Sequence, residues 1–113
     1  MQKLMPTDIV EEVREVLLSA ADAGKYGRAF LTAYQILELL PPATRDRLIA
    51  ERGIGGSGGG SFTAPSVVSQ AAEMQSEIEM AALDVRGMTA RVASNAVTPG
   101  AGIVAAYRLA KKD

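Results

Sequence analysis

The chain has 113 residues, the length of one domain, and its 12 basic and 13 acidic residues leave a net charge of −1. It contains no cysteine and no histidine. This excludes disulfides, thiolate chemistry, the imidazole general base or metal ligand, and the Ser/His/Asp triad, and the balanced charge gives no global field to draw in a polyanion.

The opening Met1-Gln2-Lys3-Leu4-Met5-Pro6 lacks the apolar run of a signal peptide, and no stretch approaches the length of a membrane span. The expectation is a soluble, cytoplasmic protein with no membrane partner and a core of Ala, Val, Leu and Ile. The first helix is expected near Pro6-Thr7-Asp8, with Pro6 in its first turn or Thr7 as its cap. Ile9, Val13, Val16, Leu17, Ala20 and Ala21 recur at helical spacing and predict one buried face, with Gly24 as the C-cap. Glu11, Glu12 and Glu15 lie together on this helix, but no second cluster completes a metal or acid/base site, so they read as a solvated face.

Lys25 to Phe30 reads as a connector ending in a brief extended segment, Ala29-Phe30-Leu31. The next helix carries the strongest local signal in the chain. Thr32 is an N-cap, Gln35 three residues on completes a capping box, and Leu31 and Ile36 stand at the two staple positions. Ile36, Leu37 and Leu40 make the apolar stripe, with Leu39 widening it. Pro41 ends the helix, and Pro42 can open the next one, in which Leu48 and Ile49 face inward and Gly53 terminates.

Gly53-Ile54-Gly55-Gly56-Ser57-Gly58-Gly59-Gly60-Ser61 has the composition of a flexible linker. Its literal G-x-G-x-x-G follows a helix rather than a strand, so it is not a dinucleotide fingerprint. Thr63 can cap a further helix with Pro65 in its first turn. Beyond it the period changes to two. Ile78, Met80 and Ala82 alternate with Glu77, Glu79 and Ala81, and Arg86-Gly87 looks like a tight turn into Met88, Ala90 and Val92. Ser94 to Gly102 reads as a loop, and Ile103, Ala105, Tyr107 and Leu109 as a last strand.

The expected organisation is one α+β domain over 1–113: a helical part over 6–52, a Gly-rich loop over 53–61, a helix over 63–75 and antiparallel strands over 77–110. Three to four helices followed by a two- to three-stranded meander are similar in order to the winged helix-turn-helix superfamily. The resemblance is carried by Phe30-Leu31-Thr32-Ala33-Tyr34-Gln35-Ile36 as extended segment and motif helix, and by Ile78–Val85 and Met88–Val92 around Arg86-Gly87 as the wing. It implies a helix offered to duplex DNA, either Ser66 to Met74, which has no Lys or Arg, or Ala43 to Arg52. The candidate nucleic-acid contacts are then Arg45, Arg47, Arg52, Arg86 and Arg91.

Two functions follow. One is a non-catalytic protein-interaction or assembly module, with a protein partner or self-association: the strand residues Ala81, Ala82, Ala90 and Ala105 are small enough for another surface to approach closely, and dimerisation is expected through the sheet, whose exposed strand edge needs covering, or through the first helix. The other is a DNA-binding or regulatory domain. No catalytic residue, cofactor, metal site or small-molecule substrate is indicated. Lys25, Tyr26 and Arg28 are the only clustered groups that an enzyme could use, and their spacing points to no reaction.

Overall fold

The computed structural model describes residues 2–21, 28–55, 62–100 and 102–110. Gly24, Lys25, Tyr26, residues 56–61 and the Lys111-Lys112-Asp113 tail lie outside the described residues. Those described form an α+β arrangement in which helices are followed by an antiparallel three-stranded sheet and a separate two-stranded ribbon.

Pro6–Asp8 forms a 3-10 turn of its own, closed by the Asp8 N–H donating to Met5 O at 2.9 Å and by the Met5 N–H donating to the Asp8 carboxylate at 2.7 Å. Helix α1, Val10–Ala21, starts after the bend at Ile9, later than expected, because the non-helical backbone of Ile9 separates the two. Of the expected face, Ile9 just before the helix and Val13, Val16 and Leu17 on it are in the core and Ala20 is partly buried against it, while the side chain of Ala21 lies outside the description.

The capped helix forms as the sequence dictates. β1, Leu31–Thr32, leads into α2, Ala33–Leu39. The Gln35 N–H donates to Thr32 Oγ1 at 3.3 Å, and the Thr32 N–H donates to Gln35 Oε1 at 2.8 Å, so both halves of the capping box are made. Leu40 turns extended ahead of Pro41. Leu39 departs from expectation. It is 59% exposed and borders a groove of about 570 Å³ that also has Glu12, Glu15 and Pro41 in its walls. Ile36, Leu37 and Leu40 suffice for the core here, and Leu39 falls on the outer shoulder of the stripe.

α3, Pro42–Arg52, begins on its proline and ends at Gly53, whose φ of 81° is the left-handed conformation that favours glycine. Leu48 is its buried anchor. The Thr44 hydroxyl donates to Glu12 and ties α3 to α1. Helix α4, Ala64–Glu73, has Thr63 at the cap position and Pro65 in the first turn, although the Thr63 hydroxyl contacts Ser66 Oγ at 3.3 Å rather than a backbone N–H. α4 is the most enclosed helix, burying Ala64, Pro65, Val67, Val68, Ala71 and Ala72. Gln75, just beyond it, donates to Val10 O at 2.8 Å and so joins the end of α4 to the start of α1.

The strand pairing corrects the expected meander. β2, Ile78–Asp84, does not pair with the segment after Arg86-Gly87. It pairs along its whole length with β5, Ile103–Leu109, from Ile78↔Leu109 to Asp84↔Ile103. β1 pairs with the other side of β5 (Leu31↔Tyr107), which gives the order β1-β5-β2. The expected loop over Ser94 to Gly102 contains β4, Asn95–Val97, which pairs with β3, Ala90–Val92, as a separate ribbon. The Val85–Met88 turn exists, with the Met88 N–H donating to Val85 O at 3.0 Å and Gly87 at φ 80°. It opens an excursion instead of closing a hairpin, because Val85 is already bonded to Gly102 O at 2.8 Å. The ribbon folds back on α2, where Val92 and Val97 enter the core and the Ala93 N–H donates to Glu38 at 2.7 Å.

Candidate interaction surface

In an antiparallel pair, directly opposed residues share a face. Tyr107 and Leu109 are buried, so the inner face of the β2–β5 pair carries Ile78, Met80, Ala82 and Asp84 from β2 opposite Leu109, Tyr107, Ala105 and Ile103. The helices cover only part of it. Tyr107 is 1% exposed under α4, where its hydroxyl meets Ser69 Oγ at 2.5 Å and Glu73 at 3.3 Å. Burial, with the nearby Glu73 carboxylate adding to it, holds the Tyr107 phenol above its ordinary pKa, against the opposing pull of the Ser69 hydrogen bond. The cover thins toward the β2 edge and toward the far end of β5. Met80 is 50% exposed and Ile103 63% exposed, and with Ala82 and Ala105 they line a shallow depression of about 250 Å³.

The outer face is polar at one end and apolar at the other. At the covered end, Glu79 takes Arg108 Nε at 3.0 Å and Arg28 NH1 at 3.3 Å, and the Arg108 guanidinium lies 4.2 Å from the centre of the Phe30 ring. At the other end Leu83 is 40% exposed. It joins Val85, Val104 and Tyr34 around a cleft of about 230 Å³ roofed by Met88 to Arg91. The volume is below the usual range for a drug-sized ligand.

β2 is also an edge. The Val85 N–H donates to Gly102 O, and the Ala110 N–H donates to Glu77 O. Odd-numbered residues of this strand therefore turn their backbone groups toward β5, and Ile78, Met80, Ala82 and Asp84 turn theirs outward. Among the described residues no strand pairs with that edge. Sequence reasoning placed the small residues Ala81, Ala82 and Ala105 on the sheet and expected an exposed strand edge to need covering, but it did not locate that edge on β2 or see its large apolar side chains, and Ala90 lies in β3 of the separate ribbon. The signal was present: Met80-Ala81-Ala82-Leu83 is a continuous apolar run, the pattern of a strand covered on both faces.

The five arginines are held by separate intramolecular partners. Arg45 reaches Glu38 at 3.3 Å and Asp46 at 3.0 Å. Arg47 pairs with Glu51 at 2.8 Å and donates to Gln2 O at 2.8 Å. Arg52 donates to Leu4 O at 3.0 Å and lies 4.5 Å from the Phe62 ring centre. Arg47 and Arg52 thus clamp the N-terminal segment onto α3, with the Leu4 N–H donating to Glu51 at 2.8 Å. The Arg47 side chain and the Leu4 N–H hold the Glu51 carboxyl below its ordinary pKa. Arg86 is bidentate to Asp84, at 2.6 Å in its closer contact, and lowers that carboxyl's pKa. Arg91 makes one long contact, to Ser94 O at 3.5 Å. Arg28, the one described member of the Lys25, Tyr26 and Arg28 group, is taken up by Glu79 and by Leu109 O.

Among the described residues, no group of three or more acidic side chains is placed to hold a metal ion, and no helix is long and apolar enough to cross a membrane. No protein-family model, curated protein or solved structure matches the chain.

Proposed function

We propose that the chain is a small, cytoplasmic, non-catalytic protein-interaction or assembly module with a winged-helix-like order of elements, and that its contact surface is the uncovered end and free edge of the β2–β5 pair. One observation carries this reading. Met80-Ala81-Ala82-Leu83 has the composition of a strand buried on both sides, yet Met80 and Leu83 stand exposed beside an open hydrogen-bonding edge. Such an edge is a template for pairing with another chain, and folded proteins normally blunt or cover it. The winged-helix-like reading draws support from the order of helix, short strand, three further helices and a closing strand pair, with the β3–β4 ribbon inserted between the two strands. The absence of Lys and Arg from α4 favours a protein surface over the phosphate backbone as the partner.

The test combines sedimentation velocity with a pull-down, using the whole chain and its Met80→Lys and Ile103→Lys variants. Both side chains are exposed, so the variants keep the melting temperature of the parent to within a few degrees, and association falls about tenfold or more as a charge enters the contact. A strict monomer that captures no protein removes the reading.

The alternative, a DNA-binding or regulatory domain, rests on Arg86, which is 79% exposed in its side chain where β2 ends. It requires a duplex-DNA mobility shift at low salt that weakens steeply as salt rises. The interaction-module reading expects no shift at high micromolar protein.

A further inference from the structure

The edge of β2 is self-complementary, and we infer that its occupant is a second copy of this chain, paired β2 to β2 about a two-fold axis at Ala81. The inference rests on the interaction-module reading and names the partner.

A two-fold axis perpendicular to the sheet makes the strands antiparallel and keeps each copy's inner face on the same side. Only Ile78, Met80, Ala82 and Asp84 turn their backbone groups outward, so the hydrogen-bonded pairs must match these residues with one another. Centring on Ala81 uses the whole strand. Ile78 then faces Asp84 of the second copy, Met80 faces Ala82, and each pair exchanges both its N–H and C=O, giving about eight backbone hydrogen bonds. Moving the centre to Met80 or Ala82 leaves part of each strand unpaired.

The side chains fit the same register. Ala81 meets its own copy at a non-hydrogen-bonded position, where the Cα atoms approach to about 4.5 Å and small residues are needed. Met80 lies over Ala82 of the second copy, so large packs against small on the inner face, and the two exposed depressions beside Ile103 run together across the axis. The register places no like charges opposite each other, an arrangement that would destabilise the pair. Glu79 stands opposite Leu83 and keeps Arg28 and Arg108 as counter-ions. Asp84 stands opposite Ile78 and keeps Arg86. Glu79 and the second copy's Asp84 lie on opposite faces. The product is a continuous six-stranded sheet in the order β1-β5-β2-β2-β5-β1.

The chain has no cysteine, so single engineered thiols report this geometry without background. The Ala81→Cys variant places two thiols on the axis at a Cα separation within the range of about 4.4–6.8 Å that a disulfide spans. Mild oxidation converts it to a covalent dimer on a non-reducing gel. In Leu83→Cys, on the same face of the same strand, the two thiols sit four residues apart along the strands, about 13 Å, and it stays monomeric on the gel. Ala82→Pro removes an outward N–H and no intramolecular bond, and it weakens dimerisation about tenfold or more with an unchanged far-ultraviolet circular dichroism spectrum. A dimer by sedimentation in which Ala81→Cys cross-links no faster than Leu83→Cys overturns the β2 pairing and leaves the module reading standing. A monomer that still captures another protein through Met80 and Ile103 overturns the second copy alone. A monomer that captures nothing overturns both.

Discussion

Leu109 and Ile103 stand on one face of one strand, six residues apart, and the first is buried while the second is among the most exposed apolar side chains described. Their strand pairing is the same and their chemistry nearly so. What differs is the reach of the helical layer, which buries β5 at Leu109 and Tyr107, packs in part on Ala105 and leaves Ile103 open. Alternation along a strand therefore tells which side chains share a face, but only the length of the covering layer tells how far that face is buried. In this chain the sheet is longer than its cover, and the surplus is where a partner can gain what the helices leave exposed.

Four measurements sharpen that contrast. The largest effect separates the two ends directly. Leu109→Ala should cost about 2–5 kcal/mol by urea unfolding, because it leaves a cavity under the helices. Ile103→Ala should stay within about 0.5 kcal/mol in the dissociated protein. Equal losses would mean that the far end is covered after all.

Thr32→Ala acts at the other edge of the sheet, where β1 enters α2. It should lower stability by about 1 kcal/mol, because the Gln35 N–H loses its acceptor. Tyr107→Phe tests the polar tie beneath α4 and should cost about 1 kcal/mol by thermal unfolding at neutral pH. It also has a pH signature. The folded-state pKa of Tyr107 is raised, so its contribution is intact below the unfolded value of about 10 and is lost as pH rises through the folded value. The parent should lose stability above about pH 10, and Tyr107→Phe should flatten that limb. The smallest effect has the opposite sign. Ser94 and Ala93 hold the β3–β4 turn at φ 69° and 49°, a conformation that L side chains adopt at a cost. Ser94→Gly should stabilise by about 0.5 kcal/mol in the same thermal assay.

The elements whose signals are local were legible in the sequence. The Thr32–Gln35 capping box, the proline boundaries around Leu40, the glycine stop at 53 and the inner-face set of β5 all depend on residues within a turn of one another. The misses are non-local or concern chemistry without a common signature. The turn at Arg86-Gly87 was read as a hairpin, yet which strand β2 joins is decided much later in the chain, in β5, where Tyr107 and Leu109 need a neighbour that completes their buried face. β4 was missed because its turn uses Ala93-Ser94, at positive φ, rather than Asn-Gly, with the Ala93 N–H donating to the distant Glu38. The arginines were legible as charges but not as clamps, since their acceptors Leu4 O and Gln2 O lie more than 40 residues away.

The Gly-rich stretch was read from composition as a linker, and its flanks show a different use. The Ala64 N–H donates to Gly53 O at 2.9 Å, so the two ends of the stretch are bonded to each other. Gly55 is fixed as glycine twice over: its φ is 81°, and a Cβ there would meet Pro65 and Thr63 at 3.0 Å. The positions at which residues 56–61 join the described structure are thus held together as a closed neck. Doubling a flexible loop costs only about 0.6 kcal/mol in closure entropy. A reporter peptide or a whole domain spliced in here would hang from the neck without pulling on α3 or α4, which makes this the natural place to tag the protein, or to divide it into complementing fragments, while β2 is left free.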